Sequence, residues 1–354
     1  MVITAGLRGI LEALQRFRLA TAIRIPMGVF TYLGPVLILP FSRSLVPIMA
    51  TLVLGRIAAG LAHFWACFKA MPSLRTRTSF HRASVGPLIR FGGWMTVTNI
   101  AAPLLVSCDR FLIGTMLSVT AVAYYAVPYE VVSRLTLLPG ALVGVLFPAF
   151  STALQADRNR LIFLYECGVK YIVLGLFPVT LLLITFAPEG LRLWLGDDFA
   201  RNSTHVAQLL AAAVFINSIA QIPFAHVQGA GRPDLTAKFH LLELPVYVAA
   251  LFYFARTMGI TGVAIAWLLR VTIDSLLLFA VSWRLLPENR FVSTRLPLLT
   301  GGVLGLFGIA VALSGIPAKL VFVFTACAVA LMVMWFWMLS PREKSALRLS
   351  LPGQ

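Results

Sequence analysis

Ionisable side chains stand inside segments that are otherwise apolar, and these residues are the best suited to chemistry. Asp109 and Arg110 interrupt the run VSCDRFLIG at 106–114, and the next apolar stretch carries Glu130 and Arg134, four residues apart. Residues at that spacing share one face of a helix. The planar fork of donors on arginine pairs with phosphate oxygens in a bidentate manner. Arg110 could therefore present a cation to a phosphate group, and the alternative is a structural role in an ion pair.

Polar and small residues around these charges follow helical periodicity on two consecutive segments. One face of the first segment comprises Gly92, Thr96, Asn99, Pro103 and Arg110. One face of the second comprises Glu130, Arg134, Leu137, Ala141, Gly144 and Pro148. We predict that a substrate cavity is lined by Asn99, Asp109, Arg110, Glu130 and Arg134, with Asp109 off the polar face and orienting Arg110. The alternative is an interfacial ion pair that fixes a helix end.

Further charges lie in apolar segments nearer the C-terminus. Arg270 and Asp274, like Glu166 and Lys170, stand four residues apart and can neutralise each other on one helix face. Glu243 has no charged partner at that spacing. Glu243 and Asp274 are therefore candidates for binding a coupling cation, and the alternative for each is a structural ion pair or hydrogen bond.

The composition predicts a polytopic membrane protein. Hydrophobic residues make up 59% of the 354 and charged residues 12%, with a mean hydropathy of +0.90, whereas a soluble domain carries about 25% charged residues. The four cysteines all fall in apolar segments and are expected to be core residues, not a disulfide set or a metal site. No HExxH, CxxC or GxxxxGK[ST] motif occurs. We therefore expect no metal, no cofactor and no nucleotide hydrolysis.

Ten apolar segments are long enough to cross a membrane as helices, which need about 20 residues. They lie at 19–41, 45–68, 91–116, 126–152, 161–187, 204–229, 236–256, 259–283, 296–314 and 317–340. The region 117–125 is expected to form an interfacial turn of helix before the fourth span, because one helix from 119 to 152 would be about 50 Å long.

The distribution of basic residues predicts the orientation. With the N-terminus in the cytoplasm, 18 of the 29 Lys and Arg fall in inside segments and 5 in outside segments. Because Lys and Arg accumulate in cytoplasmic loops, we expect both termini and the basic loop at 69–90 to lie inside. The net charge of +16 then faces anionic lipid and does not indicate nucleic-acid binding.

The sequence contains traces of an internal duplication. Residues 13–19 (ALQRFRL) and 229–235 (GAGRPDL) share a small residue, an Arg and a Leu at an offset of 216. In the spans that follow, an offset of 214 aligns Ala50, Leu54, Arg56 and Ala66 with Ala264, Leu268, Arg270 and Ala280. These matches predict two six-helix lobes in the same orientation. They also lead us to expect that four helices of the first lobe are missing from this chain.

Two stretches resemble a known family. LIRFGGWMTVTNIAAPLLVSCDRFLIGTMLSVTAVAYYAVPYEVVSRLTLLPGALVGVLFPAF at 88–150 resembles the seventh and eighth helices of Wzx-type polysaccharide or O-antigen flippases, of the multidrug/oligosaccharidyl-lipid/polysaccharide exporter superfamily. GILEALQRFRLATAIRIP at 9–26 is similar to the junction of their fourth and fifth helices. Arg18 departs from the aspartate usual there.

The resemblance implies an all-α polytopic membrane helix bundle of about ten transmembrane helices, with parts of two parallel-related six-helix lobes and two extra C-terminal helices. Four regions are expected. They are the last two helices of an incomplete N-lobe at 1–72, a basic cytoplasmic linker at 73–90, a six-helix C-lobe at 91–286, and two additional helices with a cytoplasmic tail at 287–354.

The resemblance also implies a function. We expect a transporter, not an enzyme, that moves polyprenyl-linked oligosaccharide across the bacterial cytoplasmic membrane by alternating access in polysaccharide and lipopolysaccharide biosynthesis. Expected partners are this substrate, membrane lipid and other polysaccharide-assembly membrane proteins. One alternative is a multidrug or cation antiporter of the same superfamily, and another is a non-functional truncated fragment. A membrane glycosyltransferase or polymerase would need a larger outer loop than 188–204.

Overall fold

The chain folds as a succession of helices. The computed structural model describes residues 2–38, 40, 44–72, 82–289 and 291–338, and no strand occurs within these ranges. The helices are α1 (Val2–Ala13), α2 (Phe17–Ile38), α3 (Leu45–Ala70), α4 (Arg82–Met116), α5 (Val119–Ser133), α6 (Leu137–Ala156), α7 (Arg158–Thr185), α8 (Ala187–Leu195), α9 (Asp197–Gly229), α10 (Pro233–Leu285), α11 (Leu296–Ala312) and α12 (Ile316–Val333). Residues 73–81 of the predicted basic linker and the predicted tail beyond 338 lie outside the described residues, and the rest of that predicted linker, from Arg82, belongs to α4.

Eight helical segments in the described part of the chain are long and apolar enough to cross a membrane. They are Phe17–Ile38, Val46–Ala70, Val85–Met116, Val119–Leu154, Arg158–Thr185, Asp197–Gly229, Pro233–Leu285 and Ile316–Phe336. The predicted seventh and eighth spans both lie within α10, and the predicted ninth coincides with α11, which at 17 residues is shorter. The predicted all-α polytopic membrane bundle is confirmed.

Helix α10 folds back on itself at a glycine. Gly259 has φ +60° and ψ −142°, a conformation that is essentially restricted to glycine. In a straight helix residues 243 and 270 would be about 40 Å apart, yet Glu243 and Arg270 form an ion pair. A Cβ on Gly262 would lie 2.1 Å from the carbonyl oxygen of Phe254, so the two arms, 233–258 and 260–285, meet closely at the bend.

The fourth predicted span begins earlier than the sequence suggested. Helix α5 starts directly after Ser118, whose hydroxyl accepts a hydrogen bond from the backbone N–H of Ala121 at 3.0 Å. The break lies instead at a 3₁₀ turn, Arg134–Thr136, between α5 and α6. The expected interfacial turn at 117–125 is therefore wrong, because the N-cap at Ser118 starts a regular helix there.

The described chain divides into two compact units, Met1–Gly86 and Pro87–Gln354. In the first, α1 packs along α2 and α3 around a small core of Leu11, Ala20, Ala66 and Cys67. The Cys67 thiol donates a hydrogen bond to the carbonyl oxygen of Leu7 at 3.2 Å. Helix α1 therefore lies against α3 over part of its length.

In the second unit α9 is central, since it contacts α5, α6, α7, α8 and α10. A buried hydrogen-bond chain joins three of these helices, in which the His226 ring nitrogen Nδ1 lies 2.8 Å from the Ser282 hydroxyl, which donates to the Tyr165 hydroxyl at 3.2 Å. The predicted pair on α7 is confirmed, with Lys170 Nζ 3.5 Å from the Glu166 carboxylate.

Ion pairs between helix ends of the second unit agree with the predicted alternation of sides. Arg158 and Glu288, both predicted inside, pair at 3.0 Å. Lys319 and Glu189, both predicted outside, pair at 2.8 Å. Partial burial opposes ionisation of Glu189, but the hydrogen bond from Lys319 outweighs it, and the pKa of Glu189 lies below its ordinary value. Which of the two sides faces the cytoplasm stays a prediction.

Candidate functional site

The candidate site lies where α4 ends and α5 begins. Only Leu117 and Ser118 separate the two helices, so the last turns of α4 run beside the first turns of α5. Gly114 lies at the contact, where a Cβ would meet a methyl group of Val122 at 3.5 Å. This connection places residues 109 and 110 of α4 opposite residues 125, 129 and 130 of α5.

Asp109 is fully buried and held by two hydrogen bonds. The hydroxyl of Tyr125, itself fully buried, donates to Asp109 Oδ2 at 2.7 Å, and the backbone N–H of Arg110 donates to Oδ1 at 2.7 Å. Charge-assisted bonds of this kind are the strong ones in a low-dielectric interior. Asp109 therefore fixes α4 against α5 and does not itself present a surface to a ligand.

Arg110 lies about 100° around α4 from Asp109 and is partly exposed. Its guanidinium carbon is 4.6 Å from the centre of the Tyr129 ring, and Nη2 is 3.4 Å from Glu130 Oε1. The other oxygen of Glu130 is 3.5 Å from Arg134 Nη2, so the predicted pair on this helix is confirmed. Two guanidinium groups thus share one carboxylate, and the cluster has a net charge of +1. The exposed fraction of the side chain is 31% for Arg110, 55% for Glu130 and 73% for Arg134.

The polar faces predicted for α4 and α6 are largely exposed in the second unit. Asn99 is exposed on α4, about 16 Å along the helix from Arg110. The structure therefore does not bring Asn99 into the charged cluster, although both lie on the predicted face. On the second face Leu137, Ala141 and Gly144 are exposed and Pro148 is buried.

The second group of candidates forms a buried cluster within α10. Glu243 Oε2 is 3.7 Å from Arg270 Nη1, with side chains 8% and 10% exposed, so Arg270 pairs with Glu243 across the fold of the helix. The sequence offers Glu243 no local charged partner, and in the structure its partner Arg270 comes from the other arm of α10. Asp274 lies within electrostatic range of both residues, and His240 within range of Asp274.

Aromatic side chains connect the two groups. The guanidinium carbon of Arg270 is 5.4 Å from the Tyr247 ring centre, and the Trp267 ring meets the Tyr129 ring edge to face at 5.6 Å. Tyr129 also carries the Arg110 guanidinium on its face. Polar groups of α4, α5 and both arms of α10 therefore form one continuous cluster that runs from a buried end to an exposed end.

Sequence reasoning missed the aromatic members of this cluster. Tyr125 and Tyr129 are four residues apart, and that spacing next to Glu130 was the available signal for an aromatic face directed at α4. Tyr247 and Trp267 offered no such signal, since their positions depend on how α10 folds back. Within the described ranges no three His, Cys, Asp or Glu side chains are grouped as metal ligands.

A family model described as polysaccharide biosynthesis protein matches residues 45–204. The chain is 33% identical over 195 residues to a putative O-antigen transporter from Shigella flexneri, covering 54% of this chain and 45% of that protein. It is 26% identical over 204 residues to the lipopolysaccharide biosynthesis protein WzxC from Escherichia coli (strain K12), covering 57% and 41%.

A more distant relative is the probable low-salt glycan biosynthesis flippase Agl15 from Haloferax volcanii, 21% identical over 214 residues, which cover 60% of this chain and 44% of that protein. The matched parts span about half the length of these curated relatives or slightly less. The resemblance predicted from residues 88–150 is confirmed by these matches.

Proposed function

We propose that this protein translocates lipid-linked oligosaccharide across the bacterial cytoplasmic membrane by alternating access, because residues 45–204 match a family model described as polysaccharide biosynthesis protein. The relatives include proteins named as an O-antigen transporter and a glycan biosynthesis flippase. The eight long apolar helices supply a membrane-embedded scaffold for such a step. Transport, and not an enzymatic reaction, is the activity proposed, and both termini are placed in the cytoplasm.

The observation that carries the proposal is the exposed pair of arginines that share Glu130. Their distances to that carboxylate, 3.4 and 3.5 Å, are long for charge-assisted hydrogen bonds. Exposed ion pairs contribute only about 0–1 kcal/mol. A pyrophosphate between sugar and polyprenyl chain carries more charge than one carboxylate, and its oxygens match the arginine fork. We therefore expect the pyrophosphate to replace Glu130 as the partner of Arg110 and Arg134, with only a small loss of interaction free energy.

The contacts that hold Arg110 in place suit it to binding the pyrophosphate. Its backbone N–H is bound to the buried Asp109, and its guanidinium stacks over Tyr129. Both contacts limit the conformations of the arginine before substrate arrives, which lowers the entropy lost on binding. We assign Arg110 and Arg134 to the substrate, Asp109 to positioning, and Asn99 to the oligosaccharide farther along α4.

Coupling to an ion is assigned to the buried part of the cluster. With both ionised, Glu243 and Asp274 would place two negative charges beside the single positive charge of Arg270. A buried excess of negative charge is costly unless it is neutralised. One proton or one monovalent cation would balance it, and its binding and release would bias α10 between two conformations.

The proposal is tested by substitution at the protein's own locus. Arg110→Ala and Arg134→Ala should each lower surface polysaccharide and raise lipid-linked oligosaccharide on the cytoplasmic leaflet, with unchanged amounts of the protein in the membrane. Arg192→Ala is the matched control, since Arg192 is also an exposed arginine of a predicted outer segment and pairs with Asp197. Normal export in both site variants would contradict the assignment of these arginines to the substrate.

A further inference from the structure

The two copies of the internal repeat differ in their acidic residues. The offset of 216 aligns Arg24, Met27 and Thr31 with His240, Glu243 and Tyr247, and the offset of 214 aligns Arg56 and Gly60 with Arg270 and Asp274. Helices α2 and α3 pack against each other, and the two arms of α10 are joined by the Glu243–Arg270 pair. The first copy keeps the arginine of the buried cluster but replaces both carboxylates by Met27 and Gly60.

A cleft occupies the equivalent place in the first unit. It has a volume of about 620 Å³ and lies between α1, α2 and α3. Its wall includes three arginines, one from each helix, and they are Arg8, Arg24 and Arg56. A Cβ on Gly60 would be 3.3 Å from the hydroxyl of Thr4, so the position of the missing carboxylate borders the same wall. The loss of the acids has left both space and positive charge.

The charge of this unit cannot be balanced from within residues 1–86 of the sequence. Their single acidic residue is Glu12, against ten Lys and Arg. Glu12 forms an ion pair with Arg8, in which Glu12 Oε1 lies 3.2 Å from Arg8 Nε. The cleft wall thus has three guanidinium groups, and the single carboxylate of residues 1–86 is paired with the first of them.

A buried histidine gives a second, independent indication of a ligand. His63 lines the cleft and is 5% exposed. Its Nδ1 lies 2.8 Å from the carbonyl oxygen of Ala59, so that nitrogen carries the proton and donates. The other ring nitrogen, Nε2, is buried and has no hydrogen-bond partner in the part of the chain that the structure describes. A buried polar atom of this kind is normally satisfied by a neighbour, and here a bound group can supply it.

We propose that the cleft between α1, α2 and α3 binds a phosphate or pyrophosphate group through Arg8, Arg24 and Arg56. Phosphate oxygens accept several guanidinium donors at once, and His63 Nε2 can accept a hydrogen bond from a hydroxyl of the same ligand, on a glycerol headgroup or on partly protonated pyrophosphate. The site consists of residues other than Arg110 and Arg134, and the proposal stands whether or not those two arginines bind substrate. The natural source is either a phospholipid headgroup or a pyrophosphate carried by another molecule.

The test introduces into the first copy of the repeat the carboxylate that Glu243 provides in the second copy. Met27→Glu places a carboxylate where Glu243 stands in the repeat, and Met27→Gln is the matched neutral control of the same length. The full chain is reconstituted in nanodiscs of phosphatidylcholine, and two probes are titrated, inorganic pyrophosphate and phosphatidylglycerol. Arg24→Gln serves as a second variant, which removes one cation without adding an acid. Circular dichroism and size-exclusion chromatography establish that each variant is folded.

We expect wild type and Met27→Gln to bind alike, and Met27→Glu and Arg24→Gln to bind about tenfold more weakly, which is the scale of one charge-assisted hydrogen bond. Weakening of both probes identifies a lipid headgroup as the source, and weakening of pyrophosphate alone identifies a pyrophosphate-bearing molecule. Either result supports the site. It is overturned if wild type binds neither probe, or if Met27→Gln weakens binding as much as Met27→Glu does.

Discussion

The bond between Asp109 and Tyr125 should be the strongest single contact between α4 and α5. Both residues are fully buried, and the hydroxyl donates to the carboxylate at 2.7 Å. Asp109→Ala removes this bond and the one from the Arg110 N–H, and it leaves the Tyr125 hydroxyl buried without its acceptor. Hydrogen bonds to a charged group contribute about 1.5–3 kcal/mol each, so the loss of two of them costs about 3–5 kcal/mol. We expect a loss of that size in the free energy of unfolding.

Tyr125→Phe should cost less, about 1.5–3 kcal/mol, because it removes one hydrogen bond to a charged group and keeps the other. The double variant should be less destabilised than the sum of the two single variants, since both disturb the same contact. Thr115→Ala is the control, because that exposed hydroxyl only donates to carbonyl oxygens of its own helix, and it should change stability by less than about 0.5 kcal/mol.

The assay is denaturant unfolding of the purified protein in detergent micelles, followed by tryptophan fluorescence and far-ultraviolet circular dichroism. An Asp109→Ala variant as stable as the Thr115→Ala control would refute the reasoning, and so would additive losses in the double variant. Either outcome would mean that Asp109 does not hold the two helices together, and the positioning of Arg110 would then need another explanation.

Three further predictions follow from other contacts. The Glu189–Lys319 pair should stabilise the fold above the ordinary Glu pKa of 4.5 and lose its effect as the pH falls through the lowered folded-state pKa, and melting temperatures of Glu189→Gln should lack that acid dependence. Gly262→Ala should lower the free energy of unfolding by about 1–3 kcal/mol, because its methyl group would meet a carbonyl oxygen at 2.1 Å, and unchanged unfolding would argue against the bend. In a cysteine-free background, an impermeant thiol reagent added outside should label a cysteine at Asp198 and not one at Glu288, and the reverse would invert the topology.

Much of the helical architecture could be predicted because it depends on local properties of the chain. Hydropathy alone locates the spans, and the 100° helical period separates Asp109 from the face of Arg110. The structure buries the first and leaves the second partly exposed. The Glu130–Arg134 and Glu166–Lys170 pairs were also predictable, because side chains four residues apart on a helix are neighbours.

The rest depends on contacts that spacing cannot reveal. Four-residue spacing favoured Asp274 as the partner of Arg270, but the bend at Gly259 brings Glu243 to it from the other arm of α10. The break at Arg134–Thr136 was not predicted. The expected break at 117–125 rested on helix length alone, which does not take account of the N-cap at Ser118. The tyrosines that hold Asp109 and Arg110 belong to tertiary packing and were not identified.

The most direct test of the central claim measures the movement of the lipid-linked oligosaccharide itself. The protein, expressed in full from its own gene, is reconstituted in liposomes that contain a radiolabelled polyprenyl-pyrophosphate oligosaccharide, and the fraction accessible to an external glycosidase is followed in time. We predict that wild-type protein makes the inner-leaflet pool accessible and that Arg110→Ala with Arg134→Ala slows this at least about tenfold. Accessibility equal to that of protein-free liposomes, or an unaffected double variant, would contradict the account.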